Sequence, residues 1–212
     1  DSAKAVNAKY LVATQLPPDE HIAECRRLWE MTKVSLPEEA VTYGIGSDLG
    51  VKLHEKGKHE EAKVFKLAAL EGRRRVLGNE HKDTLSSMTN MGNLLDDTGD
   101  HEGALDYYQQ AVRVQEKLLG KTHPSTLNTI YNTGLTYQNG LKDFVKAEEM
   151  NRKALDGYER SLGKEHEDTK RCAHNLACLF QASEMNLKPK MATLVKEYPH
   201  LTSNWWVQTM LW

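Results

Sequence analysis

The chain has 212 residues, and its 28 Lys+Arg against 30 Asp+Glu give a formal net charge of −2 with neutral His. That balance disfavours a strongly basic nucleic-acid binder and an acidic tail protein, and no apolar run approaches the ~18 residues that a membrane span needs. Leu occurs 26 times against 15 for Val and Ile together, a bias toward helix over sheet, and three Cys are too few for a disulfide framework.

Few cysteines make a reducing compartment the easier reading. A start at Asp1 rather than Met suggests that a segment was removed or left out, an excised targeting peptide being one version. At the N-terminus, residues 2–14 and 19–34 read as one degenerate helical hairpin with Pro17-Pro18 as its turn. Ala23, Leu28, Trp29 and Met31 are expected on its buried side. Pro37 is expected to open the helix leading into the first regular unit, so residues 1–37 form one section.

Residues 38–183 repeat. Leu77-Gly78-Asn79-Glu80-His81-Lys82-Asp83-Thr84-Leu85 recurs from Leu119 to Leu127 and again from Leu162 to Thr169, at steps of 42 and 43. Asp48, Asn90, Asn132 and Asn175 keep the same step, as do Gly50, Gly92, Gly134 and Ala177. So do Ala62, Ala104 and Ala147, and Ala69, Ala111 and Ala154; one residue inserted near Gly140–Asp143 accounts for each 43. Within a unit, Leu85, Met88, Met91/Gly92 and Leu95 fall at helical spacing. Asp97-Thr98-Gly99-Asp100 then breaks the helix. A second helix carries Ala104, Tyr107/Tyr108, Ala111/Val112 and Leu118/Leu119 on one face, and Gly120 closes it. Pro124 suits the first turn of the helix after that. The small columns have a packing reason, since helices in stacked hairpins approach to about 8–10 Å.

Residues 184–212 are irregular. Met185–Pro189 replaces the expected turn, a helix is expected from Pro189 to Tyr198, and Ser203 could cap a last short helix. Three of the four Trp, namely Trp205, Trp206 and Trp212, lie in this tail. It is too short to cross a bilayer. It could fold back as a hydrophobic cap, enter a partner or lie at a membrane interface; with no Lys/Arg-rich face beside it, the membrane option is the weakest.

These motifs resemble the tetratricopeptide repeat in its longer, 42-residue form, as in kinesin light chains. The small–Ala–Ala columns (Gly92, Ala104, Ala111), the aromatic Tyr108 and the LGxxHPxTL junction at Leu119–Leu127 carry the resemblance. Three units match over about residues 43–162, and the first helix of a fourth runs to about Ser183. The heptad coiled coil of kinesin light chains is absent. The resemblance implies an all-α, right-handed superhelical solenoid of antiparallel helix pairs. It also implies a non-enzymatic protein–protein scaffold or adaptor whose first helices line a concave groove.

In such a groove a ladder of Asn amides can hydrogen-bond an extended peptide backbone, because an amide both donates and accepts. Asn90, Asn132 and Asn175 are therefore candidate partner-binding residues, with Asn93, Tyr131 and Gln138 in the same helix columns and Trp205, Trp206 and Trp212 in the tail. Asp48 breaks the ladder. The alternative, that each Asn only sets the repeat geometry, stays open. A second functional reading is a structural subunit of a larger complex, organellar and membrane-associated in one version, anchored by the Trp tail. The localisation could be cytoplasmic or organellar, in a soluble protein.

Other features read as structural. His81, His123 and His166 lie one repeat apart, about 10 Å between helices, too far for one zinc ion with ligands at about 2.0–2.1 Å; bonds to nearby backbone are expected instead. His54 and His59 have poor ligand spacing. Gly44–Gly50 has glycines at GxGxxxG spacing but lacks the preceding strand of a dinucleotide loop. Arg73-Arg74-Arg75 suits a helix C-terminus, with phosphate or an acidic partner as the alternative. No GxSxG, HExxH, Walker loop or paired CxxC occurs. No catalytic residue, metal site, cofactor, small-molecule substrate or nucleic-acid partner is assigned.

Overall fold

The computed structural model describes residues 2–182, 188–204 and 207–208, which are helices and connecting turns with no strand among them. The N-terminal hairpin consists of α1 (Ala3–Ala13) and α2 (Pro18–Ser35). The Ser2 hydroxyl accepts from the Ala5 N–H at 3.3 Å to cap α1. Pro18, Asp19 and Glu20 open α2, which suits both the unpaired first-turn donors and the helix dipole. Leu28 and Trp29 are buried as expected and Met31 is half-buried, but Ala23 is exposed. The buried stripe of α2 runs instead through His21, Ile22, Cys25, Leu28, Trp29 and Thr32, so it includes polar groups that hydropathy ranks as surface. Pro37 does not open the next helix, which begins at Ala40; the Pro37 carbonyl accepts from the Tyr43 hydroxyl at 2.6 Å and from Arg75 at 2.9 Å.

The regular units pair α3 (Ala40–Glu55) with α4 (His59–Leu77), α5 (Lys82–Asp97) with α6 (His101–Leu118), and α7 (Pro124–Leu135) with α8 (Phe144–Leu162). The first helix of a fourth unit is α9 (Glu167–Ala182). The repeated junction sequence acts mechanically. Gly78, Gly120 and Gly163 take positive φ of 86°, 93° and 85°, a conformation that costs glycine little. Thr84, Thr126 and Thr169 each donate back to that glycine's carbonyl, at 2.8, 3.0 and 2.7 Å. His81, His123 and His166 turn Nδ1 onto the N–H two residues on, at 3.1, 3.1 and 3.2 Å. The histidine thus does the work more usually given to Ser, Thr or Asp at a helix start.

The inserted residue is absorbed locally. Thr136–Gly140 continues α7 as a π-helical turn, a usual way to fit one extra residue into a helix. Lys142 then takes φ 56°, at the place where Gly57 and Gly99 have 72° and 89°.

The chain divides into two compact units, residues 1–111 and 112–212, with the boundary inside α6. The first unit buries Leu28, Ile45, Leu49, Leu53, Leu70 and Leu94. The second has a core of Leu127, Ile130, Ala154, Tyr158, Leu176 and Phe180 with neighbours. Its C-terminal part closes over that core: Met191 and Leu194 of α10 (Lys188–Glu197), Tyr198, Leu201 of the 3-10 turn Pro199–Ser203, and Val207 beyond that turn are buried in it. The Tyr198 hydroxyl also donates to Glu159 Oε2 at 2.7 Å. Burying each of these large side chains contributes about 1.5–3 kcal/mol. Among the described residues, no helix is long and apolar enough to cross a membrane.

Candidate functional site

The glycine column of the first helices is a row of notches. Opposite Gly50, Gly92 and Gly134 stand Lys66, Tyr108 and Asn151 from the second helices. A Cβ at these glycines would lie 2.7 Å from Lys66 Cγ, 2.5 Å from Tyr108 Cε1 and 2.5 Å from Asn151 Oδ1. Each inserted side chain then meets a group near the Asn column. Lys66 Nζ donates to the Asn90 carbonyl at 3.0 Å, the Tyr108 hydroxyl to Asn93 Oδ1 at 2.7 Å, and Asn151 Oδ1 accepts from Asn175 Nδ2 at 3.2 Å.

In the second unit this produces an amide cluster. Asn175 Nδ2 donates to Asn151 and also to Gln138 Oε1 at 3.4 Å. Asn151 is fully buried and Gln138 is 6% exposed, while Asn175 is half-buried. The π-helical turn carries Gln138, so the insertion helps to place it. Tyr131 is buried beneath Arg171, whose guanidinium carbon lies 5.3 Å from the ring centroid. Desolvation holds the Tyr131 hydroxyl above the usual phenol range. Half-buried Asn132 lies in α7, its carbonyl accepting from Thr136 at 3.1 Å. Asn128, Arg171 and His174 are exposed. The structure therefore brings Gln138 and Asn175 together, sets Tyr131 under Arg171, and adds Asn151, which the sequence reading missed. Its signal was available, because Asn151 occupies the repeat position of Tyr108 and Lys66.

In the first unit the ladder is differently committed. Half-buried Asn90 offers its carbonyl to Lys66, and Asn93 accepts from Tyr108. Lys66 is only 3% exposed, and its ammonium also meets His54 Nδ1 at 2.8 Å while His54 Nε2 lies 2.8 Å from Asp97. A neutral His54 accepts at Nδ1 and donates at Nε2. Burial brings the Lys66 ammonium down to about 8, and burial together with that ammonium lowers His54. Asp48 is a carboxylate for a local reason: its Oδ2 sits 2.6 Å from His21 Nε2.

Arg73 and Arg75 of the basic run, and the glycine-rich segment, likewise have partners within the chain. Arg73 Nη1 donates to Ser87 at 2.7 Å, the Asp83 carbonyl at 3.0 Å and Ser47 at 3.2 Å, and burial lowers its pKa. Arg75 donates to the Tyr43 hydroxyl at 2.5 Å. Gly44, Gly46 and Gly50 lie inside α3, where the Trp29 ring covers Gly46. Trp205, Trp206 and Trp212 lie outside the described residues, and with them the anchoring role expected of the tail.

A tetratricopeptide repeat model matches residues 39–117 and 97–160, together more than half of the chain. The chain belongs to the tetratricopeptide repeat family. Solved structures share its fold. A kinesin light chain-like protein of Podosopora anserina, built of nearly identical TPR-like repeats, aligns at 18% identity and a TM-score of 0.79, over 96% of this chain and 97% of that one. BtubC (BKLC) from P. vanneervenii aligns at 16% identity and a TM-score of 0.70, over 96% and 92%. A tetratricopeptide repeat protein from Parabacteroides merdae aligns at 18% identity and a TM-score of 0.66, over 99% and 72%. No curated protein sequence matches. The tetratricopeptide fold supports a protein-interaction scaffold, the general role expected from the repeats.

Proposed function

We propose that this tetratricopeptide repeat chain is a non-enzymatic adaptor, and that the α7–α9 face of its second unit holds an extended segment of a partner protein. The observation that carries this reading is the bracing of Asn175. Its Nδ2 is spent on Gln138 and Asn151, which fixes the amide and turns its Oδ1 into a pre-oriented acceptor for a peptide N–H. Beside it, the Arg171 guanidinium lies against the Tyr131 ring and is held by Asp168, Nη2 to Oδ1 at 2.8 Å, so that a fixed cation stands next to the amide for a carbonyl or carboxylate. Rigid groups that are already aligned lose little entropy on binding. The Cys178 thiol does not favour chemistry here: it lies 3.5 Å from His174, but burial pushes it up, whereas a nucleophilic cysteine needs a lowered pKa.

The test places a photo-crosslinking residue at exposed Asn128 and captures partners from a native lysate. Wild-type protein should trap a discrete partner. Arg171→Ala combined with Asn132→Ala should lose it while its thermal unfolding stays within a few degrees of wild type. Equal trapping by the double variant would refute this face as the contact surface.

A further inference from the structure

The geometry points to a tetrahedral zinc-class metal site in the first unit, formed by His21 and Cys25 of α2 and Asp48 of α3. His21 and Cys25 are four apart on one helix, so their side chains lie on the same face. His21 Nε2, Cys25 Sγ and an Asp48 carboxylate oxygen all lie within 4.8 Å of one another. The separations are 3.4 Å for sulfur to nitrogen, 3.9 Å for sulfur to oxygen and 2.6 Å for nitrogen to oxygen.

Bond lengths of about 2.05 Å to N or O and 2.3 Å to S, at tetrahedral angles, would set the two sulfur distances near 3.5 Å and the N···O distance near 3.3 Å. The sulfur distances bracket that value. The His21–Asp48 pair would have to open by about 0.7 Å, within reach of small side-chain rotations. The donor set also selects the metal. One thiolate, one imidazole and one carboxylate form a borderline-soft site that suits Zn²⁺ better than the all-oxygen shells of Mg²⁺ or Ca²⁺. On binding, the Cys25 S–H bond breaks, sulfur keeps the electron pair for the metal and the proton leaves to solvent. Thiolate and carboxylate then cancel the two positive charges, so the buried site is neutral.

Two further features complete it. Tyr10 of α1 lines the same cavity as Asp48, placed to act as an outer contact to a ligating carboxylate. A cavity of about 320 Å³, lined by Tyr10, Thr14, His21, Asp48, Lys52 and Glu55 among others, adjoins two of the three donors, His21 and Asp48. It leaves room for a water as fourth ligand, the arrangement of an open zinc site rather than a closed one. A metal here would tie α2 to α3.

The experiment titrates the purified full chain with Co²⁺ and then displaces it with Zn²⁺. The expected result is one equivalent of Co²⁺ bound with tetrahedral visible bands and a thiolate-to-cobalt charge-transfer band, both lost on adding Zn²⁺. Cys25→Ser should abolish the charge-transfer band. Asp48→Asn, which conserves size, should weaken binding more than about 100-fold, and Tyr10→Phe by about 10-fold, in line with ligand and outer-shell losses. Cys178→Ser should leave the spectrum unchanged. The charge-transfer band of the wild-type protein reports thiolate ligation even if a variant fails to fold. Absence of stoichiometric binding by the wild type, binding without that band, or a spectrum that survives in Cys25→Ser would overturn the assignment.

Discussion

One methyl group added at Gly92 separates packing from helix propensity. On propensity alone Gly92→Ala should stabilise α5, since glycine in a helix interior costs about 0.5–1 kcal/mol relative to alanine. The new Cβ, however, would lie 2.5 Å from Tyr108 Cε1, 2.8 Å from Cδ1 and 3.0 Å from Cζ. Tyr108 is 1% exposed and its hydroxyl donates to Asn93 at 2.7 Å, so the ring can retreat only by breaking that bond and shifting α6. Overpacking of this kind costs about 1–3 kcal/mol, and the lost hydrogen bond about 1 kcal/mol. The propensity gain offsets about a quarter of the total, which leaves a net loss of about 2 kcal/mol. At roughly 2–4 °C per kcal/mol for a chain of this size, Tm should fall by about 4–8 °C. Thermal unfolding followed by circular dichroism measures it. Adding Tyr108→Leu should recover part of the loss, because the smaller side chain vacates the notch. A Gly92→Ala protein as stable as wild type, or one not rescued by Tyr108→Leu, would refute the notch as the reason for glycine here.

Lys66 carries a pH signature. Its folded pKa of about 8 lies below the usual lysine value of 10.5, so between those values the unfolded chain binds the extra proton and this residue's contribution to stability rises with pH. Denaturant midpoints of wild type minus Lys66→Met should therefore climb from pH 8 to about 10.5; a flat difference would contradict the buried ammonium. His123→Ala should cost about 1 kcal/mol and His123→Asp less, because only the second keeps an acceptor for the Ser125 N–H; equal midpoints for the two variants would count against the cap. Lys142→Gly should raise stability by up to about 1 kcal/mol by relieving a left-handed non-glycine residue, and a drop in Tm would show that the lysine side chain contributes more than the strain.

Much of the fold was legible because it is periodic. Repeat length, helix pairs, the glycine breaks and the backbone role expected of the junction histidines all follow from local rules that a sequence displays: 3.6-residue spacing, a left-handed glycine, a proline at a helix start. Only the folded chain decided how the columns are used. Lys66, Tyr108 and Asn151 share one repeat position yet differ in chemistry, and only packing into the glycine notches shows that each sends a polar group toward the Asn ladder. Asn175 looked like an independent peptide contact; the structure ties its donors to Gln138 and to Asn151, 24 residues away in sequence. Asp48 looked like a gap in the ladder until α2 brought His21 and Cys25 against it. Local periodicity, in short, determines which residues face inward. Which of those inward polar groups meet depends on the register between helices, and that register is set by the volumes packed between them, a property of the folded whole and of no single segment.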